Sequence, residues 1–227
     1  QRIFENDTMN KVNNTETTNI VTPFYSSEMR NASIYTLTRN LTTSEGCFIL
    51  PIPNVELKCK IYTITGDRGN DDIGINVAQV NNITIKNCNL QKFGIGIQLS
   101  NATNSTLLAN TIRNHSRYGV YILNSTDNVF INNSFRESNA SVRLERNASR
   151  NHFFNSNFST TETYTLNDFG TLTNSLTYFN VFGQINWSKA DLSTTLNLSL
   201  SNTLFLQNNK IGLLASEASP PYELGTA

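Results

Sequence analysis

The chain has no excess of charge of either sign. Lys and Arg together number 17, as do Asp and Glu, and the formal net charge is zero. Proteins that bind nucleic acids or anionic membrane surfaces usually show a basic balance or a basic patch. The composition therefore argues against a nucleic-acid partner, and we expect none.

Long hydrophobic stretches are also lacking. A helix that crosses a bilayer needs about 20 consecutive apolar residues, and no run in the sequence approaches that length. The hydrophobic fraction of 38% is low for a globular protein, yet it lies above the range of disordered chains. We expect a folded chain with no membrane span.

Cysteine is scarce, since the chain has only Cys47, Cys59 and Cys88. One disulfide and one free thiol is the simplest arrangement. We favour Cys47 with Cys59 and keep Cys59 with Cys88 as the alternative. Because no CxxC pair is present and both histidines lie far from the cysteines in sequence, we expect no metal site and no cofactor.

The abundant residues are polar and uncharged: 35 Asn, 27 Thr and 21 Ser. By chance this composition would produce about seven Asn-x-Ser/Thr sequons. The chain has 15, and none has Pro in the middle position. The sequons begin at Asn6, Asn13, Asn31, Asn40, Asn82, Asn101, Asn104, Asn114, Asn124, Asn132, Asn139, Asn147, Asn157, Asn186 and Asn197.

This excess favours selection for N-glycan acceptors, which are modified only on chains that cross a membrane. We therefore expect an extracellular, cell-surface protein with covalent N-glycans. The alternative is that Asn- and Thr-rich turns generate sequons by accident.

A repeat of about 23 residues organises the middle of the chain. Short segments with large apolar residues at both ends recur at this nearly constant interval, at 85–90, 107–112, 130–135, 153–158 and 176–181. A second set of apolar pairs, with the alternation of strands, recurs at the same interval: Ile75/Val77, Ile97/Leu99, Val120/Ile122 and Val142/Leu144. Two apolar registers that advance together indicate a stacked repeat.

The repeat predicts strands, because its segments are rich in β-branched and aromatic residues and lack helical spacing. We predict an all-β fold, a right-handed parallel β-helix, in which coils of about 23 residues stack about 4.8 Å apart. Stacking places Leu90, Ile112, Phe135, Phe158 and Val181 in one apolar column. It also places Asn110 over Asn133.

Two further consequences follow from the stacking. The sequon residues Asn101, Asn124 and Asn147 are spaced by one repeat, so we expect them in one column on a solvent-facing turn. The recurring glycines are expected at tight corners whose φ values disfavour side chains; they are Gly74, Gly96 and Gly119.

The early part of the chain carries a series of short motifs at residues 35–42, Cys47, residues 53–59, residues 62–66, Gly74-Ile75 and residues 82–88. Together these motifs resemble the opening of NosD-like parallel β-helix proteins. The cysteines in these places are similar to those of archaeal secreted surface proteins. The resemblance implies that residues 34–66 form an N-terminal cap and first coil.

We predict three regions: an N-terminal arm over 1–33, the capped β-helix over 34–182, and C-terminal cap strands with an extended tail over 183–227. Both ends are irregular in sequence. The segment 194–206 alternates like strands but falls out of register with the repeat.

Carboxylates that could act in polysaccharide cleavage are few. Asp71 and Asp72 are adjacent and are interpreted as solvated turn residues. A second group could meet in one coil and is interpreted as salt-bridged surface; it consists of Glu137, Arg143, Glu145 and Arg146.

Other candidate residues also have plain structural interpretations. His115 and His152 are expected to be turn or surface residues, because no nucleophile motif accompanies them. Sugar-stacking aromatics are not evident: Trp187 lies inside a sequon, and core-edge packing is favoured over a sugar groove for Phe93, Tyr118 and Phe169. We therefore predict no catalytic residues and no enzymatic activity.

The combined features favour a structural surface protein. We expect self-assembly through β-helix ends or terminal strands into a head-to-tail homopolymer, as a filament, sheath or surface layer. The alternative is a monomeric carbohydrate-binding or adhesin module. A polysaccharide lyase or hydrolase is the least favoured reading.

Overall fold

A computed structural model describes residues 10–12, 15–20, 33–159, 164–168, 181–187, 196–197 and 203–206. All of the regular structure in these residues is β-strand, and the central strands pair in parallel. Successive partners are mostly spaced by one repeat of the sequence. The predicted all-β fold, a parallel β-helix with coils of about 23 residues, is confirmed.

Three strands from each coil form three faces, which we name A, C and B in the order in which the chain visits them. Face A contains β3 (Ile34–Leu37), β6 (Glu56–Lys58), β9 (Thr84–Lys86), β12 (Thr106–Leu108), β15 (Val129–Ile131) and β18 (His152–Phe154). Face C contains β4 (Leu41–Thr42), β7 (Thr63–Thr65), β10 (Asn89–Gln91), β13 (Thr111–Arg113), β16 (Ser134–Arg136) and β19 (Asn157–Ser159).

Face B has the longest strands. It contains β5 (Phe48–Leu50), β8 (Ile73–Ala78), β11 (Ile95–Ser100), β14 (Tyr118–Leu123), β17 (Ala140–Glu145) and β20 (Tyr164–Asp168). Strands near the two ends complete the described structure: β1 (Asn10–Val12), β2 (Thr15–Ile20), β21 (Val181–Trp187), β22 (Leu196–Asn197) and β23 (Thr203–Leu206).

The core consists of apolar columns, one residue per coil. On the three-residue strands of faces A and C the middle side chain is buried and its neighbours point outward. The column of face A runs Leu57, Ile85, Leu107, Phe130 and Phe153. The last two rings stack with centroids 4.1 Å apart. Burying each such side chain stabilises the fold by about 1.5–3 kcal/mol.

The predicted column on face C is confirmed for Leu90, Ile112, Phe135 and Phe158. The prediction for Val181 was wrong, because Val181 pairs with His152 on face A. Trp187 instead pairs with Phe158. The reason is that β21 is seven residues long and pairs with both β18 and β19, so one continuous strand replaces two short ones.

Buried asparagines line the corner between faces A and C, as predicted for Asn110 and Asn133. The Asn110 amide group donates to Asn133 Oδ1 at 3.0 Å and to the Ile85 carbonyl at 3.0 Å. Asn128 and Asn151 repeat this arrangement at the corner between faces B and A. These bonds satisfy the backbone groups that a tight corner leaves unpaired inside the stack.

The recurring glycines are required by crowding, not by backbone conformation. Gly74, Gly96 and Gly119 lie inside face B strands, and none has a positive φ. A Cβ atom on any of them would lie 2.6–2.7 Å from a carbonyl oxygen of the next coil. The expectation of unusual φ values was therefore wrong. Asparagines take that conformation at the corners, at Asn82, Asn87, Asn101, Asn104, Asn114, Asn124, Asn132 and Asn155.

The disulfide joins Cys59 to Cys88, with 4.6 Å between their Cα atoms. The favoured pairing of Cys47 with Cys59 was wrong. Cys59 is the first residue after β6 and Cys88 is the second residue after β9, and these two strands are neighbours on face A. Cys47 precedes β5 on face B and is a buried free thiol whose pKa is raised by burial.

Some structure is described in the predicted terminal regions. Within 1–33, β1 and β2 form an antiparallel pair, and β2 continues in parallel to β3. Near the other end, β22 pairs with β20, and β23 pairs with β21 through a register shift. The sequons at Asn6, Asn13 and Asn31, the aromatic Phe169 and the tail lie outside the described residues.

Candidate functional site

The outward side of face B carries a cluster of polar and aromatic side chains that contact one another. Parallel register places Asn76, Gln98, Tyr121 and Arg143 in one outward column along the stack. Tyr118 and Glu145 lie beside this column, at the two ends of their strands. We call Tyr118, Tyr121, Arg143 and Glu145 the tyrosine–arginine cluster.

Glu145 holds this cluster together. Its Oε2 atom accepts a hydrogen bond from Tyr121 Oη at 2.8 Å and another from Arg143 Nε at 3.2 Å. The Nη2 atom of Arg143 lies 3.0 Å from the same oxygen. Arg143 also donates through Nη1 to Tyr118 Oη. The hydroxyl group of each tyrosine is therefore hydrogen-bonded to a charged side chain.

The arginine also contacts the aromatic rings. The guanidinium carbon of Arg143 is 4.8 Å from the ring centroid of Tyr118 and 5.9 Å from that of Tyr121. The two rings are themselves 5.5 Å apart and tilted by 43°. Because the side chains of Arg143 and Glu145 are 17% and 15% exposed, the cluster is a rigid, partly desolvated patch.

Burial raises the pKa of Tyr121 to about 12, and its hydrogen bond to Glu145 adds to this effect. The phenol therefore stays protonated at all physiological pH values and keeps donating to the carboxylate.

A loop from the preceding coils borders the cluster. The guanidinium of Arg117 lies 5.3 Å from the Tyr118 ring centroid and 3.7 Å from the carboxylate of Asp71. Ser116 Oγ donates to Asn70 Oδ1 at 3.0 Å. The loop that contains Asp71 is thus fastened to the turn immediately before Tyr118.

The sequence pointed to part of this cluster. Arg143 and Glu145 form the ion pair that was expected of their group, whereas Glu137 and Arg146 occupy positive-φ turn positions. Tyr121 was not singled out, although its outward position follows from alternation with the inward Val120 and Ile122. The same alternation would put Tyr118 on the inner side, so the prediction of core-edge packing for Tyr118 was wrong, because it faces outward.

His115 lies in the connection between β13 and β14, so the prediction of a turn residue holds, but the alternative of a surface residue was wrong. The side chain is completely buried, and its Nδ1 accepts a hydrogen bond from the Phe93 amide at 3.2 Å. Burial lowers the pKa of His115 to about 3. Its Nε2 lies where a Cβ atom on Gly96 would clash. Phe93 itself is fully buried against this ring, as expected for core packing.

His152 is half-buried on the outward side of face A, with its ring 5.7 Å from that of Phe154. Phe154 is an exposed aromatic residue of the same strand. Asp72, at the end of the loop beside Arg117, has a raised pKa because of partial burial and the neighbouring Asp67 carboxylate. None of these groups reaches the tyrosine–arginine cluster through a described contact.

The predicted column of sequon residues exists. Asn147 donates through its side-chain amide to Asn124 Oδ1 at 3.3 Å, and Asn124 donates in the same way to Asn101. All three are exposed. The sequons at these positions stay predictions as glycosylation sites.

The fold also supplies its own reason for these triplets. At the corner between faces B and A, two coils carry the same three residue types in order. These are an Asn with a positive φ, a small buried residue and a Thr in an isolated β-bridge, and they occur as Asn101-Ala102-Thr103 and Asn124-Ser125-Thr126. Asn tolerates the positive φ well, although in the preceding coil Gln79 takes this conformation and Asn81 forms the bridge. The alternative explanation, that Asn- and Thr-rich turns generate sequons by accident, therefore has a physical basis at this corner.

In the ranges that the structure describes, no three His, Cys, Asp or Glu side chains come close enough together to bind a metal ion. The same ranges contain no helix with the length and apolar character to cross a membrane.

Comparison with known proteins identifies the fold. Residues 28–182 match the family described as a right-handed β-helix region. Among solved structures, the periplasmic alginate epimerase AlgG is 16% identical, with a TM-score of 0.49. The alignment covers 86% of this chain and 48% of the epimerase, so the chain spans about half the length of that protein. No curated protein matched the chain.

These matches correct one prediction. The sequence predicts no enzymatic activity, because the motifs of known polysaccharide-cleaving enzymes are absent. That exclusion was wrong, because residues 28–182 match a right-handed β-helix family, and a fold of this kind can carry enzymes as well as binding or structural proteins. The likeness to the epimerase is distant and assigns no activity to this chain.

Proposed function

The chain belongs to the right-handed β-helix family, and from that premise we propose that it is a secreted or surface-displayed protein that binds a saccharide on face B. The tyrosine–arginine cluster is the observation that carries this proposal. Two tyrosine rings are held at the surface by one ion pair, so their orientation is set before any ligand arrives. Preorganisation of this kind lowers the entropic cost of binding.

The chemistry of the cluster suits a sugar. Tyrosine combines an apolar ring with a polar tip, which matches the apolar C–H face and the hydroxyl groups of a pyranose. Arg143 supplies several N–H donors, and Glu145 supplies acceptor oxygens. Gln98 and Asn76 extend the same outward column with amide groups that donate and accept. A linear saccharide that lies along the stack axis would contact these groups in turn.

Affinity electrophoresis of the full chain in gels that contain single polysaccharides tests the proposal. We expect retardation by at least one polysaccharide, and we expect Tyr121→Ala to abolish it. Phe154→Ala is the matched control, because it removes an exposed aromatic ring from face A. Equal retardation of the wild-type chain and Tyr121→Ala, or no retardation by a broad panel, would contradict saccharide binding on face B.

The proposed location rests on cysteine chemistry. Disulfides persist in oxidising compartments and are rare in the cytosol. The Cys59–Cys88 pair therefore supports an extracellular or periplasmic site, and we propose that the chain carries N-glycans there. We also propose that the chain is related to NosD-like and archaeal secreted proteins. We further propose that it divides into an N-terminal arm over 1–33, a capped β-helix over 34–182, and C-terminal cap strands with a tail over 183–227.

Self-assembly into a homopolymer is a second candidate function, which the edge of face B favours. Within the described residues, β5 pairs with β8 on one side and with no strand on the other. Such an edge presents backbone groups that can pair with another copy. A head-to-tail contact that does not close produces a filament, sheath or surface layer.

Negative-stain electron microscopy of natively purified protein tests this second candidate. We expect uniform fibres or sheets, and we expect deletion of the segment 1–30 or of the segment 215–227 to abolish them. Discrete particles in all three samples would contradict self-assembly and leave the saccharide proposal unaffected.

A further inference from the structure

Two arginines stand next to each other on the outward side of face C. Parallel register pairs Arg113 of β13 with Arg136 of β16, so they occupy one column on neighbouring coils. Neighbouring strands of a sheet lie about 4.8 Å apart. Like charges placed directly opposite each other on a sheet destabilise it, so this arrangement needs a compensating group.

The described residues supply no such group. The ion pairs that they form involve other basic residues, and neither Arg113 nor Arg136 takes part. The outward positions of the described face C strands carry Thr, Asn, Gln, Ser and Arg but no acidic residue. Two charged residues directly follow strands of this face, Lys92 after β10 and Glu137 after β16, and neither takes part in these ion pairs.

Arg136 carries a second sign of a missing partner. Its Nε atom is shielded from solvent and has no hydrogen-bond partner in the part of the chain that the structure describes. Leaving a buried donor unsatisfied destabilises the folded chain. The hydroxyl groups of Thr111 and Ser134 lie two residues earlier on the same strands and face the same way.

We infer that Arg113 and Arg136 form a binding site for an oxyanion, either a sulfate or a carboxylate group. Each guanidinium is a planar fork of N–H donors that matches the oxygens of such a group. One anion between the two forks would neutralise their repulsion, and a rotation of the Arg136 side chain would bring its solvent-shielded Nε to the same anion. The site lies on face C, away from the tyrosine–arginine cluster, and does not depend on saccharide binding there.

Nuclear magnetic resonance of the arginine Nε–Hε groups tests this site in the labelled full chain. The probes are sodium sulfate and sodium acetate, added at an ionic strength held constant with sodium chloride. We expect the signals of Arg113 and Arg136 to shift to saturation with at least one probe. We expect Arg113→Gln to weaken the apparent affinity about tenfold or more, because it removes a charged hydrogen-bonding partner.

Arg146→Gln is the control, because it removes one positive charge from an exposed turn outside face C. This variant should bind as the wild type does. Arg136→Lys provides the same test as Arg113→Gln should the latter not fold, because it keeps the charge and loses the planar fork.

Saturation with sulfate alone identifies a tetrahedral oxyanion, and saturation with acetate alone identifies a carboxylate. The inference would be overturned if the Nε–Hε signals of Arg113 and Arg136 shifted linearly with probe concentration and by no more than the signal of Arg146. An unchanged affinity in the Arg113 or Arg136 variant would overturn it as well.

Discussion

Tyr118 and Tyr121 are three residues apart on β14, yet their rings lie on the same side of face B with centroids 5.5 Å apart. In a regular strand, residues at an odd spacing point to opposite sides. Here the two intervening residues, Gly119 and Val120, are both buried. The alternation therefore skips one position, and both tyrosines face outward.

The glycine at the second position of β8, β11 and β14 is needed for stacking. We predict that Gly96→Ala lowers the free energy of unfolding by about 1–3 kcal/mol, as overpacking of a close contact does. Its Cβ would lie 2.6 Å from the Gly119 carbonyl oxygen and 2.7 Å from His115 Nε2. Urea unfolding followed by circular dichroism measures this change.

Gly69→Ala is the matched control for that experiment. The atom in its way belongs to the carboxylate of Asp72, which can rotate aside. A loss for Gly69→Ala as large as that for Gly96→Ala would contradict the crowding explanation.

His115 makes the stability of the fold sensitive to acid. Its pKa is about 3 in the folded state, whereas an unfolded histidine has a pKa of about 6.5. Between these values the unfolded chain takes up a proton and the folded chain does not. The stabilisation is therefore complete above about pH 6.5 and is lost as the pH falls toward 3.

We expect His115→Asn to show a weaker loss of stability over this pH range. Asn can accept the Phe93 amide hydrogen bond, as Asn110 accepts that of Cys88. Chemical unfolding at a series of pH values compares the two chains. Parallel curves for the wild type and the variant would show that His115 does not produce the acid sensitivity.

The disulfide assignment predicts a difference between the three cysteines. Reduction should lower the stability of the wild type and of Cys47→Ala by about 2–4 kcal/mol. It should leave the Cys59→Ala/Cys88→Ala variant unchanged. Thermal unfolding with and without a reducing agent measures this difference. A Cys47→Ala chain whose stability is the same with and without the reducing agent would refute the pairing.

Glycosylation should follow exposure if the sequons are used. We expect N-glycans at exposed positions such as Asn101, Asn104 and Asn124 more often than at the half-buried Asn114 and Asn139. A glycan needs solvent space that a half-buried side chain lacks. Glycopeptide mass spectrometry of the natively purified protein measures occupancy. Unmodified peptides throughout would assign these triplets to the needs of the turns alone.

Much of the fold was predictable because stacking repeats the same requirement in every coil. The apolar column that contains Leu90 and Ile112, and the stacked pair Asn110 and Asn133, could be predicted from spacing alone. Val181 was misplaced because β21 is longer than the strands of the repeat unit. A constant period does not indicate where the pattern stops.

The candidate site was less predictable because it depends on departures from regular structure. Tyr121 joins Tyr118 only through the two successive buried residues between them. His115 is polar, yet its column partners Phe93 and Ser138 lie inside the stack. Cys59 meets Cys88 because the same corner recurs 29 residues later, which is longer than the usual coil.

Mapping of the bound surface by nuclear magnetic resonance decides whether face B binds a saccharide. The wild-type chain is titrated with an oligosaccharide fragment of the polysaccharide that retards it most in affinity gels. We predict shifts confined to outward residues of β11, β14 and β17, with Gln98, Tyr118 and Tyr121 the most affected. Shifts confined to faces A and C, or no shifts at saturating saccharide, would contradict it.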